Sequence, residues 1–286
     1  MKPTKRFRMN QAAIAVALAV ITTSAGAQQP TPAAEATPEP AAKVALEPAA
    51  EATPEPAAKA TLEPAAMAAL HSMGAYLRTL KAFQVEAATT DEDVLDDGEK
   101  IQYAGVTNIL AQMPGRLRAE VSNDRRERLY LYDGKSFTLF AKRAHLYATV
   151  PAPPTVGQLA NKLDEDYGFT VPLADLFRWG SPGWSTDGIT AATDVGPSAV
   201  EETTCEQYAF RQEDIDWQIW IQKGDYPLPR KLVITTKTDD ARPQHTAVFT
   251  WNLAPSFNDE TFTFDPPADA GKVVLAEIKP VAGATK

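Results

Sequence analysis

Residues 216–234, DWQIWIQKGDYPLPRKLVI, decide the fold of this chain. Trp217, Ile219 and Ile221 alternate with polar residues, and alternation with period two predicts a β-strand that has one apolar face. Trp220 lies among glutamines on the opposite face, so we expect that face to be covered in part. A proline-rich turn then leads to a second apolar strand, and the pair predicts an antiparallel sheet.

Similar alternation elsewhere in the chain predicts further strands, and Asp133-Gly134 is a typical hairpin turn between two of them. The predicted strand regions are 83–87, 103–109, 115–122, 125–150, 202–210, 217–222, 231–238, 245–253 and 260–267. Because strands follow strands without a helix between each pair, the order excludes a parallel sheet built from alternating strands and helices.

Three helices are predicted from apolar residues that recur every three or four positions. The first covers 67–80 and opens the folded region, and the second covers 156–166. The third covers 172–179 and begins at Pro172, which suits a first helical turn. The fold class is therefore α+β: a large, curved antiparallel sheet, an open half-barrel, with helices covering its concave face.

The N-terminal sequence predicts export from the cytoplasm. Residues 1–27 combine a basic start, a short apolar stretch and Ala25-Gly26-Ala27, which is typical of a signal-peptide cleavage site after Ala27. We therefore expect the protein in the periplasm, and an uncleaved N-terminal anchor is the alternative. No cysteine follows the apolar stretch, so lipidation at the cleavage site is not expected.

A repeat follows the predicted signal peptide. PAAEATPEPAAKVALE at 32–47 recurs at 48–63 with two substitutions, and its richness in proline predicts a disordered, extended linker. The predicted organisation is thus a signal peptide at 1–27, a Pro/Ala/Glu-rich linker at 28–64, a folded domain at 65–268 and a C-terminal tail at 269–286.

Charge and cysteine content exclude several classes of function. Cleavage after Ala27 removes four basic and no acidic residues, so the net charge falls from −9 to −13. This acidity argues against nucleic acid as a partner, because binding to phosphates needs Lys and Arg. Cys205 is the single cysteine, which excludes an intramolecular disulfide. Its strand-like surroundings predict a packed thiol, and a nucleophile is the alternative.

No common catalytic or cofactor-binding motif occurs in the sequence. His71, His145 and His245 are far apart in sequence, so no metal site is predicted. The acidic residues at 91–99 lack the spacing of a calcium loop and predict a solvated hairpin tip. We therefore expect no enzyme activity, no cofactor and no metal, and an exported hydrolase is a minor alternative.

Three stretches together resemble a known family: YDGKSFTLFAKRAHLYATVPAP at 132–153, YGFTVPLADLF at 167–177 and WQIWIQKGDYPLPRKLVI at 217–234. They are similar to an uncharacterised family of predicted periplasmic proteins related to the LolA-like superfamily, which includes LolB and RseB. The resemblance implies an open half-barrel with a helical lid and a hydrophobic cavity for acyl chains or other lipid. The linker is not part of this pattern.

The predicted ligand site consists of apolar residues on the concave face and on the helices. The predicted cavity residues are Phe83, Val85, Tyr103, Leu129, Leu131, Phe137, Leu139, Trp217, Ile219, Ile221, Leu232, Ile234, Phe249 and Trp251. The predicted lid residues are Leu159, Leu163, Leu173, Leu176 and Phe177. Most such residues also suit an ordinary core.

Two functions remain open from the sequence. The first is a carrier or binder of lipid or of an acylated protein in the cell envelope. The second is a non-catalytic signalling or scaffolding domain that binds an envelope protein partner.

Overall fold

A computed structural model describes residues 61–277, and the predicted signal peptide and nearly all of the predicted linker lie outside this range. The described part contains one open, twelve-stranded sheet and a few helices, so the predicted α+β class is confirmed. The strands are β1 (Ala82–Val94), β2 (Lys100–Gln112), β3 (Arg116–Asn123), β4 (Glu127–Tyr132), β5 (Ser136–Ala141), β6 (Leu146–Pro151), β7 (Ala191–Val200), β8 (Thr203–Arg211), β9 (Ile215–Gln222), β10 (Pro229–Thr236), β11 (Gln244–Asn252) and β12 (Gly271–Lys272). The helices are α1 (Pro64–Thr79), α2 (Val156–Tyr167) and α3 (Asp175–Arg178), with single 3-10 turns at Lys142–Ala144 and Asp259–Phe262.

The sheet consists of two antiparallel meanders that meet at β1 and β11. The spatial order is β12-β6-β5-β4-β3-β2-β1-β11-β10-β9-β8-β7. β1 pairs with β11 from Gln84↔Asn252 to Asp91↔His245. This contact between distant parts of the chain joins the two halves into one surface, while β7 and β12 remain as separate edges, so the sheet does not close into a barrel.

Alternation sorts the side chains of β9 onto two faces as predicted. Trp217, Ile219 and Ile221 join the main buried cluster, whereas Trp220 joins a small cluster on the other face. Trp220 packs there with Val200, Cys205 and Val233. We call the face of the main cluster the concave face and its opposite the convex face.

The helices cover the concave face. α1 buries Ala66, Leu70, Met73 and Leu77, the spacing that its periodicity predicts. α2 buries Val156, Leu159, Ala160 and Leu163; Thr155 at its N-terminus accepts a hydrogen bond from the Gln158 N–H, and Gly168 ends it in a left-handed conformation. No helix among residues 61–277 is both long and apolar enough to cross a membrane.

The third helix is shorter than predicted. Residues 172–174 form a turn, and α3 contains only Asp175–Arg178. Leu173 has φ 52°, a left-handed conformation that a helix cannot include. The helix therefore begins at Asp175, three residues after the predicted start at Pro172.

Two strand predictions differ from the structure. β7 was not predicted, because Gly196 and Pro197 interrupt its alternation; it is an edge strand with a bulge between Asp194 and Gly196, where both residues are tolerated. The predicted strand at 260–267 is instead a 3-10 turn followed by an irregular segment. That segment places Phe264 against Phe140 and Tyr147 on the convex face.

Both ends of the described chain pair with the sheet. Leu62 forms a parallel bridge with Ala192, so the last residues of the predicted linker lie along β7. β12, within the predicted tail, pairs in parallel with β6. Each end thus covers part of one sheet edge, which otherwise exposes unpaired backbone groups.

A close backbone approach connects α1 to the loop after α3. A Cβ added to Gly180 would lie 2.5 Å from the Gly74 carbonyl carbon and oxygen. Gly180 also has φ 69°, a backbone conformation that residues with a side chain rarely adopt. A side chain here would therefore clash with Gly74 and would also strain the backbone.

We expect Gly180→Ala to lower the free energy of unfolding by about 2 kcal/mol more than Gly183→Ala. Gly183 has a similar φ of 87° but nothing within 4 Å of its added Cβ, so this control carries the backbone strain without the clash. Urea denaturation of both variants measures the difference. Equal losses would show that the contact with Gly74 is unimportant.

Candidate functional site

The main buried cluster includes a seam between the concave face and residues 152–190, which we call the helical segment. Three pairs of rings cross this seam, each with one ring from the sheet and one from the segment. Phe83 stacks on Phe177 at 6.0 Å between centroids, Phe137 meets Phe169 at 6.0 Å, and Trp217 stacks on Trp179 at 6.4 Å. Phe210 extends the last pair, 4.2 Å from Trp217. These rings line the seam at three places.

Most residues of the predicted ligand site lie in this seam. From the sheet, Phe83, Val85, Phe137, Trp217, Ile219, Ile221, Leu232, Ile234 and Phe249 are buried in the main cluster, and Leu139 and Trp251 pack against it. From the helical segment, Leu159, Leu163, Leu176 and Phe177 are buried in the same cluster, and Leu173 packs against it. The structure thus places these predicted cavity and lid residues in one buried cluster, in which Phe83 contacts Phe177.

Three predicted residues lie elsewhere. Leu129 and Leu131 are on the convex face with Phe140. β4 is apolar on both faces, because the C-terminal segment covers its convex side, and Tyr130 and Tyr132 take the concave positions instead. Tyr103 belongs to none of the buried clusters, and its ring lies under the guanidinium of Arg125.

The seam is filled by side chains. Two surface pockets of the described region, of about 390 and 270 Å³, lie elsewhere. The first follows the outer surface of α2, and the second lies between the C-terminal segment and the convex face of β5 and β6. A ligand could enter the seam only if the helical segment moved away from the sheet.

One arginine holds the helical segment to α1. Arg78, in the last turn of α1, donates hydrogen bonds to the backbone carbonyls of Leu176 and Phe177, the second at 2.9 Å. Carbonyls at a helix end lack partners within the helix, so a guanidinium satisfies them well. Burial lowers the pKa of Arg78, and its Nε has no hydrogen-bond partner among the described residues.

A polar pair joins β1 to β11 on the concave face. His245 of β11 lies opposite Asp91 of β1, and its Nδ1 is 2.6 Å from Asp91 Oδ1. Burial alone would raise the pKa of Asp91, but the hydrogen bond and charge of His245, with the charge of Arg126, hold it below its ordinary value. The sequence missed this pair because its partners are 154 residues apart.

Asp175 of α3 lies within reach of the charge of His245. Burial raises the pKa of Asp175 above its ordinary value of 3.8, although the charges of Arg178 and His245 act in the opposite direction. Burial therefore makes ionisation of Asp175 less favourable in the folded chain than in the unfolded chain.

Other reactive groups are scattered. Cys205 is fully buried on the convex side, and burial raises the pKa of its thiol, which matches an inert packed residue better than a nucleophile. His71 is exposed, and His145 pairs with Asp269 on the surface. Among residues 61–277, no three His, Cys, Asp or Glu side chains are grouped in a way that could hold a metal ion.

A protein-family model matches residues 66–276, nearly the whole described region, and its description reads "Predicted periplasmic protein (DUF2092)". The chain belongs to this family. The predicted resemblance to an uncharacterised periplasmic family is thereby confirmed. No curated protein matches the chain in sequence.

Several solved structures are similar to this DUF2092 protein at low identity. An uncharacterised conserved protein from Thermus thermophilus has 11% identity and a TM-score of 0.44, over 73% of this chain and 99% of that chain. LprF from Mycobacterium bovis has 14% identity and a TM-score of 0.41, over 74% and 100%. A LolA superfamily protein from Nitrosomonas europaea has 10% identity and a TM-score of 0.34, over 70% and 97%. None of these values is high enough to carry a function from one chain to another.

Arg78→Met should lower the free energy of unfolding by about 2 kcal/mol, because two carbonyls lose a charged donor while the aliphatic stem keeps its volume. Arg242→Met, at an exposed arginine paired with Asp216, should cost under about 0.5 kcal/mol. Hydrogen exchange should also show faster exchange in residues 156–178 of the Arg78 variant alone. Unchanged exchange there would show that Arg78 does not hold the helical segment to α1.

Asp175 should make stability fall as pH rises. The unfolded chain ionises this carboxyl at its ordinary pKa, whereas the folded chain keeps the proton to a higher pH, so folding becomes less favourable between the two values. Asp175→Asn removes this effect. Urea denaturation from about pH 4 to pH 8 should show the variant gaining stability relative to the wild type as pH rises. A difference that stays constant with pH would contradict the raised pKa.

Proposed function

We propose that this protein is a periplasmic binder of hydrophobic ligands, a carrier of lipid or of an acylated protein, and that the ligand's acyl chain occupies the seam. The observation that carries the proposal is the set of ring pairs across the seam. Each pair joins the sheet to the helical segment, so one movement of that segment would expose the sheet rings of all three pairs.

The physical balance favours exchange of one apolar partner for another. Opening the seam alone would expose buried rings to water at a cost of about 25 cal/mol for each Å². An acyl chain that enters as the segment moves would cover the same rings and would itself gain about 0.8 kcal/mol for each buried methylene. The seam would therefore open for an acyl chain more readily than for water.

The attachment of the helical segment suits such a movement. The chain leaves the sheet at the end of β6 and returns at the start of β7, so the segment is joined to the sheet at two points only. Near its two ends the segment is hydrogen-bonded to the sheet and its turns, as from the Val156 N–H to the Pro114 carbonyl and from the Thr190 N–H to the Arg211 carbonyl. Arg78 binds it to α1 and not to the sheet. Apolar packing is thus the main contact that a ligand would have to replace.

No arrangement of groups suited to catalysis was identified in the seam. The His245–Asp91 pair resembles part of a hydrolytic site, but no hydroxyl or thiol is hydrogen-bonded to the imidazole in the described region. We therefore propose a non-catalytic role.

The test uses two tryptophans of one strand as a matched pair. Trp217 and Trp220 are 7% and 9% exposed, but they lie on opposite faces of β9. Replacement of either by Gln should cost similar stability, about 3–5 kcal/mol. Only Trp217→Gln should weaken acyl-chain binding, by about tenfold, equivalent to ~1.4 kcal/mol.

The measurement is native mass spectrometry of the full chain, exported to a bacterial periplasm and then incubated with palmitate. We expect a lipid adduct on the wild type and on Trp220→Gln, and a weaker one on Trp217→Gln. Equal retention by both variants would place the ligand outside the seam. If the wild type shows no lipid adduct, even after incubation with lipid extract and with a lipidated peptide, the proposal is wrong. The alternative, an envelope signalling or scaffolding domain with a protein partner, would then be favoured.

A further inference from the structure

The concave face continues beyond the seam into a polar rim near the turn between β3 and β4. Arg128 of β4 lies on this face, because it is two residues before Tyr130, which is buried in the main cluster. Arg126 is two residues further toward the turn. It lies near enough to Asp91 on the concave face to lower the pKa of that carboxyl. The rim therefore carries two cations at the border of the apolar surface.

The guanidinium groups of Arg126 and Arg128 have no hydrogen-bond or ion-pair partner within residues 61–277. Their neighbour Arg125 differs, because it forms a 2.7 Å ion pair with Asp93 and lies 3.6 Å above the ring of Tyr103. Acidic partners are plentiful in a chain with 37 Asp and Glu against 28 Lys and Arg. Every other arginine within residues 61–277 has a hydrogen-bond or ion-pair partner, so Arg126 and Arg128 are exceptions.

Cations on the convex side of the same strands are paired. Arg118 binds Glu120 at 2.7 Å, and Lys142 binds Glu120 at 3.0 Å and Glu127 at 3.1 Å. The donors that remain available are therefore concentrated on the face that carries the seam. Arg128 is also half-buried, and an arginine at such a border can cover apolar surface with its aliphatic stem while its charged group faces water.

Apolar side chains lie directly beside these donors. Val121 of β3 is opposite Arg128 and packs against the main cluster, and Leu139 of β5 is opposite Tyr130 and does the same. A ligand bound here would contact the two guanidinium groups at the rim and the apolar surface beside them. A planar guanidinium can bind a phosphate through two parallel hydrogen bonds, and this geometry is specific to arginine.

We propose that Arg126 and Arg128 bind the phosphate head group of an anionic phospholipid whose acyl chains enter the seam. This inference rests on the proposed function, because the apolar part of the ligand needs the seam. It adds the ligand class: an amphiphile with net negative charge is preferred to a zwitterionic one with the same chains.

The test compares phosphatidylglycerol with phosphatidylcholine that has identical acyl chains, bound to the full chain and measured by native mass spectrometry. The wild type should prefer phosphatidylglycerol by about tenfold, and the preference should shrink at high salt. The double variant Arg126→Gln/Arg128→Gln should lose the preference and still bind phosphatidylcholine. Lys223→Gln/Arg242→Gln removes the same charge from exposed positions elsewhere and should keep the preference.

The outcomes separate this inference from the proposed function. If the wild type binds both lipids equally and the rim variant matches it, the head-group site is wrong and the seam remains a lipid site. If the wild type binds neither lipid, the proposed function itself fails. If inorganic phosphate binds with the same dependence on Arg126 and Arg128 while neither lipid binds, the rim is a site for soluble phosphate and the lipid assignment is overturned.

Discussion

The apolar concave face of the sheet must be shielded from water, and the rest of the structure depends on that constraint. The face extends across both meanders because β1 and β11 join them, so it is wider than one helix can cover. α1, α2, α3 and the loops between them share the task. The sheet remains open at both edges, and the helical segment is therefore the element whose position decides whether the face is covered.

The way in which the face is covered connects the fold to the proposed function. Rings on the segment stack on rings of the sheet, and such contacts are apolar and tolerate replacement by another apolar partner. Specific polar contacts lie at the margins: Arg78 against the end of α3, the pair of His245 and Asp91, and the rim arginines. Stability and ligand exchange would thus depend on different groups of the same interface.

Sequence periodicity predicted the concave face well where one side of a strand is polar, as in β9 with Trp217, Ile219 and Ile221. It failed in β4, where the C-terminal segment makes both faces apolar, and alternation alone could not assign Leu129 or Leu131. The left-handed backbone of Leu173 makes α3 shorter than predicted. Gly196 and Pro197 interrupt the alternation of β7, so the sequence did not predict this strand. The pair of His245 and Asp91 depends on strand register between distant segments, which local patterns do not contain.

Movement of the helical segment away from the sheet on ligand binding would change the distance between two labelled positions. Spin labels on cysteines introduced at Asn161, exposed on α2, and at Val106, exposed on the convex face of β2, would report the separation by pulsed electron paramagnetic resonance. The native Cys205 is fully buried and should not react with the label. We expect a longer mean distance between the two labels after palmitate binds. An unchanged distance distribution with palmitate bound would contradict it.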